Sequence, residues 1–231
     1  MVLIRYILYF LGIALLTWLL VQMEVAAPGS LKLQIFARPG DTFGTSEYSP
    51  VELIQVAVLL VCCALYAWVA VKCPSQRPIA VPFGGLAGIF AIRELDYFFD
   101  RFIVDNFWQV IMVVVAATLI TYASRNQRRF RIAWVRIWPS PGLTLLFAGA
   151  CILFAFVELI GYEPLWMAIM GDSYERIVGL AVEELIEIAG YYLWLIGSIE
   201  YTYQARAIAM REPQPAVAKR REGRRAKPGR F

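Results

Sequence analysis

The sequence predicts an all-α integral membrane protein: a six-transmembrane-helix bundle with both termini cytoplasmic. Three observations carry that prediction. The 231-residue chain is 60% hydrophobic and 17% charged, with a mean hydropathy of +0.60, whereas soluble domains run near about 45–50% apolar and about 25% charged. Several stretches hold the roughly 20 apolar residues needed to cross a bilayer. The charges are also segregated. With alternating crossings and the amino terminus inside, 17 of the 22 Lys+Arg residues fall on the cytoplasmic side, as the positive-inside tendency requires. Glu24, Asp41, Glu47, Glu52, Glu163, Asp172 and Glu175 fall on the opposite side. A plasma (inner) membrane of bacterial type is the expected location.

The first helix is expected over residues 2–22, with Arg5 near its start. A cleavable signal peptide is the alternative, because Val25-Ala26-Ala27 suits a small-residue cleavage site. Its apolar core exceeds the usual length of about 7–15 residues, and Glu24 intrudes. Residues 24–50 form a polar connection in which Leu31-Lys32-Leu33-Gln34-Ile35 alternates with period two, the pattern of a short strand.

The second helix, 51–71, is entered through Pro50 and stopped by Lys72-Cys73-Pro74. The third is expected over 80–102 and contains Gly84 and Gly88, a small-x-x-x-small pair that lets a neighbouring helix approach closely. It crosses the bilayer only if RELDYFF lies within it; otherwise 79–92 re-enters and 93–106 lies at the interface. The fourth helix, 106–123, leads into a basic loop with Arg125, Arg128, Arg129, Arg131 and Arg136, where Trp134 and Trp138 suit the headgroup zone. Pro139 and Pro141 open the fifth helix, 142–160, and the sixth runs over about 176–203. The transmembrane domain thus spans 1–203. The tail, 204–231, is expected to be a basic disordered cytoplasmic segment that meets anionic lipid headgroups.

Candidate functional residues are the charges that this layout puts at membrane depth, because such charges are costly and usually line a bundle interior or a wet cavity. They are Arg93, Glu94, Asp96 and Asp100 on the third segment, Glu158 on the fifth helix, and Glu183, Glu184 and Glu187 on the sixth. Their levels coincide in the outer half, so they are expected to form one acidic, outward-facing intramembrane site. Glu183 and Glu187 are i,i+4 neighbours on a face continued by Gly190, Trp194 and Gly197. Arg93, Asp96 and Asp100 share a face, and Arg101 can reach Asp105. Neighbouring carboxylates in low dielectric need protons, a cation or an arginine.

A small transporter or cation- or proton-binding membrane protein is the preferred reading. The alternatives are a membrane-embedded enzyme acting on a lipid-type substrate and a structural or accessory subunit of a membrane complex with a buried ion-pair network; a homo-oligomer is compatible with each. The chain has no histidine, which removes the commonest general base and metal ligand. If a metal binds, Glu183, Glu187 and Asp96 would offer oxygen ligands to a hard divalent cation such as Mg, Mn or Ca. No heme, flavin or nucleotide motif is present, and nucleic acid is not an expected partner. Few polar residues serve the inner half, chiefly Thr118, Thr121, Ser198 and Glu200, which counts against a through-path. Glu200 is expected at the interface. Gly171-Asp172-Ser173 is read as a turn and helix cap. The four cysteines are read as buried apolar residues, with Cys73 at the membrane edge the one candidate for lipidation.

Overall fold

The computed structural model describes residues 2–27 and 50–212. The strand expected at 31–35 and the tail from 213 onward lie outside the described residues. Within them the chain is helical throughout: α1 (Val2–Ala26), α2 (Pro50–Lys72), α3 (Arg77–Arg93), α4 (Asp96–Phe102), α5 (Phe107–Arg125) and α6 (Gln127–Ile137). There follow α7 (Pro141–Cys151), a π-helical turn (Ile152–Phe156) and α8 (Val157–Ile160), which form one continuous rod. Then come α9 (Glu163–Met170), a 3-10 turn (Gly171–Ser173) and α10 (Arg176–Arg211).

Among the described residues, four helices are long and apolar enough to cross a membrane: Leu3–Ala26, Pro50–Lys72, Phe107–Arg125 and Pro141–Ile160. The protein therefore carries several membrane-spanning candidates. α3, at 17 residues, is shorter than these, and α10 interrupts its apolar residues with acids and tyrosines. Large apolar side chains point outward on α1 (Leu3, Phe10, Trp18), on α5 (Val113, Ile120) and on the α7–α8 rod (Phe154, Leu159). Exposed apolar surface on this scale is what a lipid-facing rod presents.

α10 is the axis of the bundle. Its partners fix the direction of each neighbour. α2 runs parallel to it, with Gln55 beside Glu187 and Tyr66 beside Ser198. α3 runs antiparallel, with Tyr201 beside Gln76 at one end and Glu187 beside Arg93 at the other. α1 is also antiparallel, pairing Arg5 with Glu200 and packing Leu20 against Ile188. The α7–α8 rod does the same, from Gly142 at Tyr201 to Gly161 at Glu183. α5 lies on α3, where Leu119 fills the space over Gly85. One end of the bundle collects Arg5, Lys72, Arg77 and the arginines of α6.

Three sequence expectations are corrected by the fold. The single helix over 80–102 is instead two. The Glu94 amide bonds back to the Phe90 carbonyl and the Leu95 amide to Ile92, a tightened last turn, after which α4 starts afresh at Asp96. The basic loop is largely a helix, α6. Phe130, Ala133, Trp134 and Ile137 recur at i, i+3, i+4 and i+7, so they pack inward, with Ala133 and Ile137 buried, while Arg128, Arg129 and Arg131 fall on the other face. The tail begins later than 204, because α10 continues to Arg211 and is tied to α6 by a 2.6 Å Arg136–Glu212 ion pair.

Close approach between rods rests on glycine. Gly142 and Gly149 of α7 face Gly197 and Gly190 of α10 across an antiparallel seam, with Leu146 over Gly197 and Leu153 over Gly190. A Cβ added at Gly149 would stand 2.8 Å from the Gly190 carbonyl oxygen, and backbone cannot swing aside. Of the expected Gly84–Gly88 pair, Gly84 is tight against Tyr66, its added Cβ meeting that of Tyr66 at 2.9 Å, whereas Gly88 has an ordinary 3.9 Å to Cys63 Sγ. Gly149→Ala is therefore expected to destabilise the protein by about 1–3 kcal/mol through overpacking. Gly88→Ala is expected to be neutral or stabilising by up to about 1 kcal/mol, because it only removes unfolded-state freedom. Thermal unfolding of the two variants in detergent checks both signs.

Candidate functional site

The candidate site forms where the carboxyl end of α3 meets the first half of α10. The turn at Glu94–Leu95 leaves Arg93 and Glu94 as the last side chains of α3 to face α10. Arg93 Nη2 donates to Glu187 Oε1 at 3.2 Å. Glu187 is 7% exposed, and its other oxygen, Oε2, accepts from Gln55 Nε2 of α2 at 3.5 Å. One turn along, Tyr191 donates its hydroxyl to Glu94 Oε1 at 2.6 Å. Phe90 roofs this pair, its ring 6.1 Å from Tyr191 and 5.4 Å from Trp194. Three helices thus supply two adjacent hydrogen-bonded groups, Gln55–Glu187–Arg93 and Glu94–Tyr191.

The remaining candidate residues fall around it unequally. Glu183, one turn before Glu187, lies over Gly161 at the end of the α7–α8 rod, where an added Cβ would touch its carboxylate at 2.8 Å. It is within electrostatic range of Arg93 and of Glu158, which is exposed on α8. Glu94 lies within electrostatic range of Glu187, and Asp96, at the start of α4, within that of Glu94. Asp96 and Glu184 have interactions of their own. Asp100 is engaged elsewhere: its Oδ1 accepts the Asn106 amide at 2.7 Å, stitching the α4–α5 turn around a left-handed Asn106 (φ 59°). Asparagine tolerates that backbone conformation better than most residues. The Arg101 side chain lies outside the described residues. Among the described residues no group of three His, Cys, Asp or Glu side chains is arranged to hold a metal ion.

Gln55 and Tyr191 were not among the sequence candidates, although each carries a signal. Gln55 is a lone amide inside an otherwise apolar stretch of α2, and Tyr191 follows Glu187 at i+4, on the same face. A second polar cluster was missed outright. Glu200, expected at the interface, is 2% exposed. Both of its oxygens are held from α1: Arg5 Nη2 donates to Oε2 at 3.0 Å and Tyr9 donates to Oε1 at 2.9 Å. Arg5 also stands 4.7 Å over the Tyr203 ring, a cation–π contact. The partners are 195 residues apart in sequence, so no local pattern links them.

No protein-family model, curated protein or solved structure matches the chain. The functional reading therefore rests on the geometry itself.

The Arg5–Glu200 pair has a checkable energetic signature. Removing one partner strands a buried charge, while removing both does not. Arg5→Met is expected to cost about 3 kcal/mol, the low end for a buried pair because Arg5 is partly exposed. Arg5→Met combined with Glu200→Leu should recover most of that loss. A double-mutant cycle of thermal or denaturant unfolding in detergent measures the coupling.

Proposed function

We propose that this chain is an integral membrane protein of six crossings, with both ends cytoplasmic, that holds a proton or a small cation in the α3–α10 acid cluster. The charge count at the cluster carries the reading. Among the described residues, Glu94, Glu183 and Glu187 all lie within electrostatic range of one guanidinium, that of Arg93. One positive charge does not neutralise three carboxylates. Glu187 is buried and Glu94 and Glu183 are half-buried, and an uncompensated carboxylate withdrawn from water is costly, so a proton or a bound cation makes up the excess. Intramembrane acids of this kind commonly mark ion or proton sites.

The six-crossing layout is supported by the alternation of helix directions. α1, α3 and the α7–α8 rod oppose α10, α2 runs with it, and α5 returns along α3. This order also gathers Arg5, Lys72, Arg77 and α6 at one end, the distribution that the positive-inside tendency assigns to the cytoplasmic face. It brings the short α3 and the acid-bearing α10 into the membrane, where their polar groups meet each other rather than lipid.

A purely structural ion-pair network is the second reading, favoured by the fact that Glu187 and Glu94 both have hydrogen-bond partners. Infrared difference spectroscopy of the purified protein separates the two. A proton site predicts a carboxylic C=O band, above the amide I region, that disappears in Glu187→Gln while the variant stays folded. A cation site predicts no such band, but a gain in thermal stability on adding the cation that Glu187→Gln abolishes. A structural network predicts neither effect, and unfolding of Glu187→Gln.

A further inference from the structure

The acid cluster continues into a buried polar stripe along α10. Glu183, Glu187, Tyr191, Trp194, Ser198 and Tyr201 recur at spacings of three and four residues, which puts them on one face of the helix. That face meets α2 and α3. The Ser198 hydroxyl lies 2.9 Å from the Tyr66 hydroxyl of α2. Tyr201 donates to the Gln76 carbonyl at 3.3 Å, and its ring centre is 5.6 Å from that of Tyr66. Tyr66, Tyr191, Ser198 and Tyr201 are each at most 1% exposed. From Glu183 to Tyr201 is 18 residues, about 27 Å of helix rise, against a hydrocarbon core of about 30 Å.

The stripe also contains buried polar atoms that no protein group satisfies. Among the described residues they are Gln55 Oε1 beside Glu187 and both side-chain polar atoms of Gln76 at the far end, while the Trp194 indole nitrogen at mid-stripe faces the Tyr66 hydroxyl. Gln55, Gln76 and Trp194 are 1%, 0% and 2% exposed. Buried polar atoms are almost always paired, and where protein offers no partner, water does so. Tyr191 and Ser198, the hydroxyls on either side of Trp194, are two turns apart on α10, about 10.5 Å of helix rise, a gap that takes a short file of waters joined by hydrogen bonds of about 2.8 Å.

We infer that this stripe is a water-bridged proton path running from the acid cluster to Gln76 at the basic end of the bundle. The inference rests on the acid cluster holding a proton. In each step a hydroxyl or water accepts one proton and releases another, so no group changes its net charge after a passage and no co-reactant is needed. Tyr66, Tyr191, Ser198 and Tyr201 have hydroxyls that both donate and accept. Trp194 only donates; its indole nitrogen faces the Tyr66 hydroxyl and takes no part in transfer. Arg93, opposite Glu187, keeps the acid end from carrying a full charge excess. Thr118 and Thr121, which the sequence offered for such a path, are exposed on α5 and bond to the Val114 and Ala117 carbonyls; Ser198 makes the same kind of bond, to the Trp194 carbonyl at 2.8 Å, but is buried with the Tyr66 hydroxyl in reach.

The test uses the full chain in liposomes, with an imposed pH gradient, potassium and valinomycin to clamp the potential, and an internal pH dye. The native protein is expected to acidify vesicles faster than protein-free controls. Tyr66→Phe and Ser198→Ala should each slow this by about tenfold, the effect of about 1.4 kcal/mol in a barrier, with the carboxylic band of the acid cluster unchanged. Thr118→Val should conduct as the native chain does. Native vesicles no faster than controls overturn the path, as does native-like conduction by folded Tyr66→Phe or Ser198→Ala. Both hydroxyls make the same link, so if one variant fails to fold, the other decides. Absence of the carboxylic band from the native protein, or its persistence in Glu187→Gln, overturns instead the proton-holding reading on which the path stands.

Discussion

A buried carboxylate on α10 has no solvent to turn to, and the bundle is arranged so that other helices bring it a partner. Glu187 takes one hydrogen bond from α3 and one from α2; Glu200 takes both of its bonds from α1. Each bond fixes a register as well as an orientation. The Gln55–Glu187 and Tyr66–Ser198 contacts share a separation of 132 residues, so α2 and α10 run side by side without slippage. An apolar interface alone is tolerant of sliding, because one leucine replaces another at small cost. Polar pairs in a low-dielectric interior are not, since each unmatched member carries its full desolvation cost.

α10 meets its neighbours with different chemistry on each side. Toward α7 it presents Gly190 and Gly197, which allow near-backbone contact and exclude polar groups from the seam. Toward α2 and α3 it presents the acids, tyrosines and Ser198. Toward α1 it presents Tyr192 and Glu200, with an apolar cavity of about 340 Å³ left between Phe10, Ile13, Ala189 and Leu193. Glycine seams suit lipid surroundings, where van der Waals contact and hydrogen bonding replace the hydrophobic effect as the force between helices.

Much of this was legible in the sequence, and the remainder has physical causes. Apolar runs and their prolines located the long helices, and the charges singled out for their setting include Arg93, Glu94, Glu183 and Glu187, which lie near one another where α3 meets α10. The break after Arg93 was visible only as an ambiguity, because the apolar residues of α4 continue the same periodicity. α6 was read as a loop because five arginines outweighed the i, i+3, i+4, i+7 apolar pattern between them. Hydropathy also hid the stripe: Tyr66, Tyr191, Trp194 and Tyr201 count there as large apolar residues, while their hydroxyls and indole nitrogen are what the interior must satisfy. The partners of Glu200, Arg5 and Tyr9, went unseen because they lie at the opposite end of the chain.

That last pairing bears on biosynthesis. α1 precedes α10 in the chain, so Arg5 and Tyr9 gain their hydrogen bonds to Glu200 only after α2 to α9 have been made. The Arg5–Glu200 pair is therefore a late contact of synthesis, and it draws the earliest helix described onto the latest.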